Sequence, residues 1–205
     1  MLTTIAELEA LYGTPHERSV RKEIDYINED YRRFIELSPF VVLATGSAEG
    51  LDCSPRGDVP GFVRILDART LALPDRPGNN RVDSLRNVVA APHVGLLFMV
   101  PGVGETLRVN GRGRLSDDPG LLADFAVDGK PPRSVLVIDI ESVYFHCSKA
   151  IVRSHLWDAS RHVERTELPS AGAMLRRINA EQYGETFDAE TYEAGLAERI
   201  KKSLY

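Results

Sequence analysis

Phe40-Val41-Val42-Leu43-Ala44-Thr45 decides how this chain is read. The run is apolar and β-branched, follows directly on Pro39, and is closed by Gly46 and Gly50 with a polar turn between them. A run of this kind bounded by turn residues reads as a strand. Similar texture continues downstream. Phe62 to Leu66 and Thr70 to Leu73 flank a turn at Asp67-Ala68-Arg69 and predict a hairpin. Val94 to Val100 reads as a buried strand ending at Pro101-Gly102. Thr106 to Leu115 alternates Leu107, Val109 and Leu115 with Arg108, Asn110, Arg112 and Arg114, although Gly111 and Gly113 interrupt it. Ser134 to Phe145 is the last strong strand. Six or more short strands with Gly/Pro turns in a chain of this size predict a barrel or a sandwich.

The flanks read differently. Before Pro39, Ile5, Leu8, Leu11 and Tyr12 recur at helical spacing until Gly13-Thr14-Pro15 breaks the pattern. A second stretch carries Ile24, Ile27, Tyr31, Phe34, Ile35 and Leu37 on one side. Together they predict an N-terminal pair of helices. Two further helices interrupt the strands. One follows a turn and cap at Pro77-Gly78-Asn79 and carries Val82, Leu85, Val88 and Val89 as far as Pro92. The other starts at Asp118-Pro119, with proline in the first helical position. Beyond Phe145, Ser170 is placed to cap a helix from Ala171 to Gln182, and Asp188 another running to Lys202. The expected plan is a helical arm over 1–38, a β segment over 39–145 and a helical tail over 146–205, all within one structural domain.

Composition narrows the function. The 205 residues include 25 basic and 30 acidic side chains, a formal net charge of −5, with 43% hydrophobic residues. These values suit a globular chain with a real core. Nucleic-acid binding draws most of its free energy from basic side chains on phosphates, and no basic stripe with interleaved aromatics is present, so no nucleic-acid partner is expected. The longest apolar run, Val94 to Val100, falls far short of the roughly 20 residues that span a bilayer. Met1-Leu2-Thr3-Thr4 lacks the basic-then-apolar plan of a secretory signal. Cys53 and Cys147 are too few for a disulfide scaffold and form no Cys-x-x-Cys pair, so a reduced, cytoplasmic setting is expected. The five histidines are scattered and match no ligand spacing, so no metal site is expected.

Several standard sites are excluded by pattern. Gly102-x-Gly104 is followed by Leu107 where a dinucleotide fingerprint needs its third glycine, and it lies between two strands. There is no Walker lysine motif, no His-Glu-x-x-His and no Gly-x-Ser-x-Gly elbow. What remains is a cluster of phosphate-capable groups. Ser54-Pro55-Arg56-Gly57-Asp58 puts a hydroxyl, a guanidinium and an unhindered backbone beside one strand end. Leu73-Pro74-Asp75-Arg76-Pro77-Gly78-Asn79-Asn80-Arg81 ends a strand, turns and begins a helix, with Ser84 in its first turn and Arg86 close behind. Exposed N–H groups there, with Arg81 and Ser84, suit a phosphate dianion. Asp83 competes for the same amides, and on spacing alone capping with surface salt links is the favoured explanation of the same residues.

The ordered set of motifs resembles a known family. Gly50-x-x-x-Ser54-Pro55-Arg56-Gly57-Asp58 is followed by the hairpin Gly61-Phe62-Val63-Arg64 to Leu71-Ala72-Leu73-Pro74, then Asn79-Asn80-Arg81-x-x-Ser84-Leu85-x-Asn87. Pro92-x-Val94-Gly95-Leu96-Leu97-Phe98 and Glu105-Thr106-Leu107-Arg108-Val109-Asn110-Gly111 come next. From about Phe40 to about Phe145 the chain resembles the pyridoxamine 5′-phosphate oxidase-like family of FMN-binding split β-barrels. Asp75 to Arg81 and Tyr144-Phe145-His146-Cys147-Ser148-Lys149-Ala150 look like one bacterial subfamily of uncharacterised flavoproteins.

The resemblance implies a mainly β (α+β) fold, a six-stranded Greek-key split β-barrel, and a homodimer with FMN at the subunit interface. The family's phosphate-gripping arginines fall on Arg56 and Arg81, with Ser84 the nearby hydroxyl. Leu73, Pro74 and Asp75 would run along the ribityl chain, and Thr106 and Leu107 would meet the flavin ring. Cys147, Lys149 and Arg153 would approach from the partner subunit. Their plain alternatives are a small packed residue and two helix-surface charges. The founding enzyme closes with an Arg-x-His motif that holds the pyridoxamine phosphate, then an Arg-Leu-x-Pro terminus. Here Arg153-Ser154-His155 is followed by 50 further residues, and Glu167-Leu168-Pro169 lacks the arginine. Vitamin B6 oxidation is therefore not favoured.

The expected function is an FMN-dependent oxidoreductase acting on an unidentified small molecule, with positioning and electrostatics in place of a catalytic acid–base pair. The rivals are a non-catalytic flavin carrier or sensor, a barrel that binds haem or a deazaflavin, and an interaction protein with a vestigial pocket.

Overall fold

The computed structural model describes residues 1–205. Three helices come first: α1 (Ile5–Tyr12), α2 (Glu17–Arg21) and α3 (Glu29–Leu37). Four strands follow as two hairpins, β1 (Phe40–Ser47) with β2 (Gly50–Gly57) and β3 (Arg64–Asp67) with β4 (Thr70–Asp75). Then come α4 (Asp83–Ala90), β5 (His93–Met99), β6 (Thr106–Ser116), α5 (Pro119–Asp124) and β7 (Ser134–His146). The tail holds α6 (Lys149–Ser154), α7 (Ala171–Ile178), α8 (Ala189–Ala194) and α9 (Leu196–Lys202). No helix is long and apolar enough to cross a membrane.

The strands form one antiparallel sheet in the order β2-β1-β5-β6-β7-β4-β3. Six strands and a barrel were expected; there are seven, and no backbone ladder joins the two end strands, so the sheet is open. The strand missing from the sequence reading is β2. Gly50-Leu51-Asp52-Cys53-Ser54-Pro55-Arg56-Gly57 has no apolar alternation because it is a sheet edge with much of its surface in solvent, and Pro55 is tolerated there because an edge strand leaves N–H groups unpaired. The split is bridged by side chains. Arg56 on β2 pairs with Asp75 on β4 at 2.7 Å, and Arg76 pairs with Asp58 at 2.8 Å.

One face of the sheet holds the core. Val41, Leu43, Leu96, Phe98, Leu107, Val109, Leu136, Ile138 and Val143 are buried there, with α3 adding Tyr31 and Ile35. Gly111 sits where the β6–β7 register shifts, and a side chain there would run into the Asp139 carbonyl. A smaller cluster of Ala72, Phe125, Val135 and Val137 lies under α5.

The expected N-terminal pair of helices is three short ones, and the second predicted helix begins late. The Asn28 side chain caps α3 by accepting the Tyr31 N–H at 2.8 Å. Ile24 is instead extended and exchanges hydrogen bonds with Val143 at 3.1 and 2.7 Å. The reason lies in β7, which runs on to His146 although its pairing with β4 ends at Asp139, leaving an edge for Ile24. In the tail, Ser170 caps α7 as expected, accepting the Ala173 N–H at 3.1 Å. The helix expected from Asp188 to Lys202 is broken at Gly195.

Candidate functional site

Alternation along β2 puts Asp52, Ser54 and Arg56 on one side of the strand, facing the start of α4 and the end of β4. Between these elements lies a cleft of about 510 Å³. The buried Ser84 hydroxyl donates to Asp52 and lies 3.0 Å from the Ser54 hydroxyl, which accepts from Arg56 Nε at 3.3 Å. Arg56 Nη1 continues the chain to Asp75. The loop before α4 is wound tightly. Arg81 N–H donates to the Asn79 side chain at 3.1 Å, while Asn80 and Val82 take left-handed φ values of 60° and 53°. Asparagine accepts that conformation easily; a β-branched valine does so at a cost of order 1–3 kcal/mol. The expected cap at Asn79 is not the one used. Val82 precedes α4, and no side chain caps it.

Four guanidiniums line the cleft, from Arg56, Arg76, Arg81 and Arg133, together with the carboxylates of Asp52, Asp75 and Asp83. Arg81 is paired with Asp83 at 2.8 Å on an exposed rim, a contact that solvent weakens. Arg133 donates to the Asn80 side chain at 2.9 Å and has no carboxylate partner. The site thus has one uncompensated cation and one loosely held cation beside the hydroxyls of Ser54, Ser84 and Ser134. Its hydrophobic lining consists of Val82 and Leu85 alone.

The apolar surface is elsewhere. On β1 and β5 both faces are apolar: Val41, Leu43, Leu96 and Phe98 are buried inward, while Phe40, Val42, Leu97 and Met99 are half-exposed on the other face. Strands that are apolar on both sides are ordinarily covered on both. Phe40 stands opposite Met99 and Val42 opposite Leu97, so the four make one patch, and Thr106 and Arg108 border it on β6.

The profile of the pyridoxamine 5′-phosphate oxidase family matches residues 27–147, more than half of the chain and all seven strands. The chain belongs to that family. Among solved structures, HupZ from Group A Streptococcus is 15% identical, with a TM-score of 0.47 over 57% of this chain and 91% of its own. General stress protein 26 from Bacillus anthracis is 15% identical, with a TM-score of 0.43 over 55% and 88%. A relative of general stress protein 26 from Clostridium acetobutylicum, described as of the pyridoxinephosphate oxidase family, is 14% identical, with a TM-score of 0.45 over 59% and 91%. Likeness at this level bears on neither ligand nor reaction. No curated protein matches the chain.

Within this family member the expected site residues do not all meet in one place. Ser54, Arg56, Asp75, Asn80, Arg81 and Ser84 meet in the cleft. Gly57 and Pro74 line an adjoining cavity of about 220 Å³ that shares Arg56 and Arg76 with it. Leu73 points into the core and is 2% exposed, so only its backbone is available to a ligand. The remaining five do not line the cleft. Leu107 is fully buried in the core, and Thr106 stands between Met99 and His146 at the other end of β6. Cys147, Lys149 and Arg153 are exposed after the end of β7. Sequence reasoning named Arg76 only as part of the run before α4, and it missed Asp52, Arg133 and Ser134 in the cleft. Asp52 is legible once β2 is seen as a strand, two residues before Ser54 on the same face. Arg133 follows Pro131-Pro132 some fifty residues downstream, and only the fold brings it to Asn80.

FMN would meet only part of what it needs in this cleft. Its arginines and serines suit the phosphate and the polyol, and nothing in it offers a flat apolar slot for the ring. One chain therefore fits part of the cofactor.

Proposed function

We propose that this protein is a cytoplasmic homodimer that holds FMN between its subunits and acts as an FMN-dependent oxidoreductase on a small molecule. The supporting observation is the separation of a polar cleft on the split of the sheet from an uncovered apolar patch beside Thr106. A second copy placing its patch against the first chain's cleft supplies the apolar surface that the ring needs. Arg133 and Arg81 would bind the phosphate, and Arg56 would help to orient it. Ser54 and Ser84 would donate or accept along the polyol, with Asp52 fixing the Ser84 proton. Phe40, Val42, Leu97 and Met99 of the facing subunit would exclude water from the ring, and Thr106 would border it. FMN, when bound, supplies hydride transfer at N5. The exposed, unpaired Cys53 and Cys147 suit a reducing compartment.

The deciding experiment is a visible absorption spectrum of the purified protein, taken as isolated and again after adding FMN and desalting. A retained flavin band supports the reading. A colourless protein that retains no FMN overturns it, and a Soret band assigns the pocket to haem. Once flavin is retained, oxidation or reduction under a panel of donors and acceptors separates an enzyme from a carrier.

A further inference from the structure

The segment after α9 returns to the sheet beside the cleft. The Tyr205 hydroxyl donates to Asp58 Oδ1 at 2.5 Å, and its ring lies 5.3 Å from the Arg76 guanidinium carbon. Asp58 has a side chain only 1% exposed, and a carboxylate so placed is costly unless fully partnered. It is partnered by Tyr205, by the Val59 N–H at 2.8 Å and by Arg76 Nε at 2.8 Å. Burial alone would push its pKa up, but these donors outweigh burial and hold it below the ordinary value. Arg76 is fixed a second time by Nη1, which donates to the Phe125 carbonyl at 2.7 Å.

Arg76 is thus held on three sides, by Asp58, Phe125 and the Tyr205 ring. Its Nη2 makes no hydrogen bond within the chain, and the residue lines the cleft. A guanidinium locked by neighbours and left with free N–H donors is pre-organised for an anion. Arg81, by contrast, is held only through Nε by Asp83 on an exposed rim, so its guanidinium is far less firmly placed.

We propose that Tyr205 is a positioning residue for the cleft: by bracing the Asp58–Arg76 pair it sets the Arg76 guanidinium for an anionic ligand, so docking of the 200–205 segment and anion binding reinforce each other. The proposal rests on the cleft being the phosphate site. Coupling of this kind is reciprocal, and a typical factor is about fivefold or more.

The test compares the full chain with Tyr205→Phe, which keeps the ring and loses the hydroxyl, and Tyr205→Ala, which loses both. FMN dissociation constants are measured together with the rate of tryptic cleavage after Lys202. Tyr205→Ala is expected to bind FMN about fivefold more weakly, with Tyr205→Phe between it and the wild type. FMN is expected to slow cleavage of the wild type and to lose that effect in Arg76→Met. Unchanged FMN affinity in Tyr205→Ala overturns the proposal even if its melting temperature falls, because a merely structural contact would move stability alone. A wild type that binds no FMN sinks the flavin reading separately. The same protection assay is then run with inorganic phosphate: slowed cleavage upholds the proposal and unaltered cleavage overturns it.

Discussion

The cleft and the outer face of β1 and β5 lie on the same sheet and are built in opposite ways. In the cleft nearly every charged group already has a partner, from the Ser84–Asp52 contact through Ser54 and Arg56 to Asp75. On the outer face Phe40, Val42, Leu97 and Met99 are half-exposed apolar side chains bordered by Thr106 and Arg108. A ligand with a phosphate at one end and a flat apolar ring at the other needs both surfaces, and one chain does not present them together. The lesson is that the functional unit proposed here is a pair of chains, each lending what the other lacks.

The largest effect that could break this comparison comes from the outer face. Leu97→Asp is expected to abolish dimerisation and FMN retention together, read by sedimentation and by the flavin band after desalting, because a charge replaces a desolvated contact. A dimer that keeps FMN in this variant would remove the outer face from the site. Its inward neighbour Leu96, 1% exposed, serves as the contrast: Leu96→Ala is expected to cost about 2–5 kcal/mol of folding stability in a denaturant titration.

On the cleft side, Arg133→Ala and Arg81→Ala are each expected to weaken FMN about 10–100-fold while leaving the fold intact, the range that follows from a charged hydrogen bond. Equal affinity in either variant would dismiss that arginine from the phosphate site. A sharper test reverses the sign. Asp83→Asn frees Arg81 from its exposed pair and is expected to tighten FMN by about two- to fivefold at low salt, with the gain fading as salt is added.

The smallest effect probes the rim of the outer face, where His146 stands opposite Thr106. Burial, with Arg108 and then Lys22 nearby, lowers the pKa of His146. Folded chains therefore hold fewer protons on it than unfolded ones, and stability falls as pH drops from about 6.5 through the lowered value. Arg108→Gln is expected to move the His146 titration upward in an NMR pH series and to flatten that loss. A His146 titration that does not move would show that Arg108 leaves the ring unaffected.

Much of the fold could be read from local pattern. Val94 to Val100 and Thr106 to Leu115 are strands because their apolar period fits a sheet, and Asp118 and Ser170 cap their helices as their chemistry requires. β2 was illegible because an edge strand needs no apolar alternation. The late start of α3 was illegible because Ile24 answers an open edge of β7, a long-range contact that helical spacing does not encode. At the site, Ser54, Arg56, Asp75, Asn80, Arg81 and Ser84 were found from their order along the chain and meet in one cleft. Thr106 and Leu107 share the order of motifs but do not line this cleft, whereas Cys147, Lys149 and Arg153, expected from the partner subunit, are exposed beyond the end of β7.

The sequence by itself determined the antiparallel β texture, the family membership and the cation-bearing loop before α4, because these depend on residue type and near neighbours. Tertiary structure alone decided which charges remain free. Arg133 meets Asn80 and no carboxylate, and Arg76 is locked by residues 58, 125 and 205, because partners so far apart along the chain are brought together only by the order of strands in the sheet.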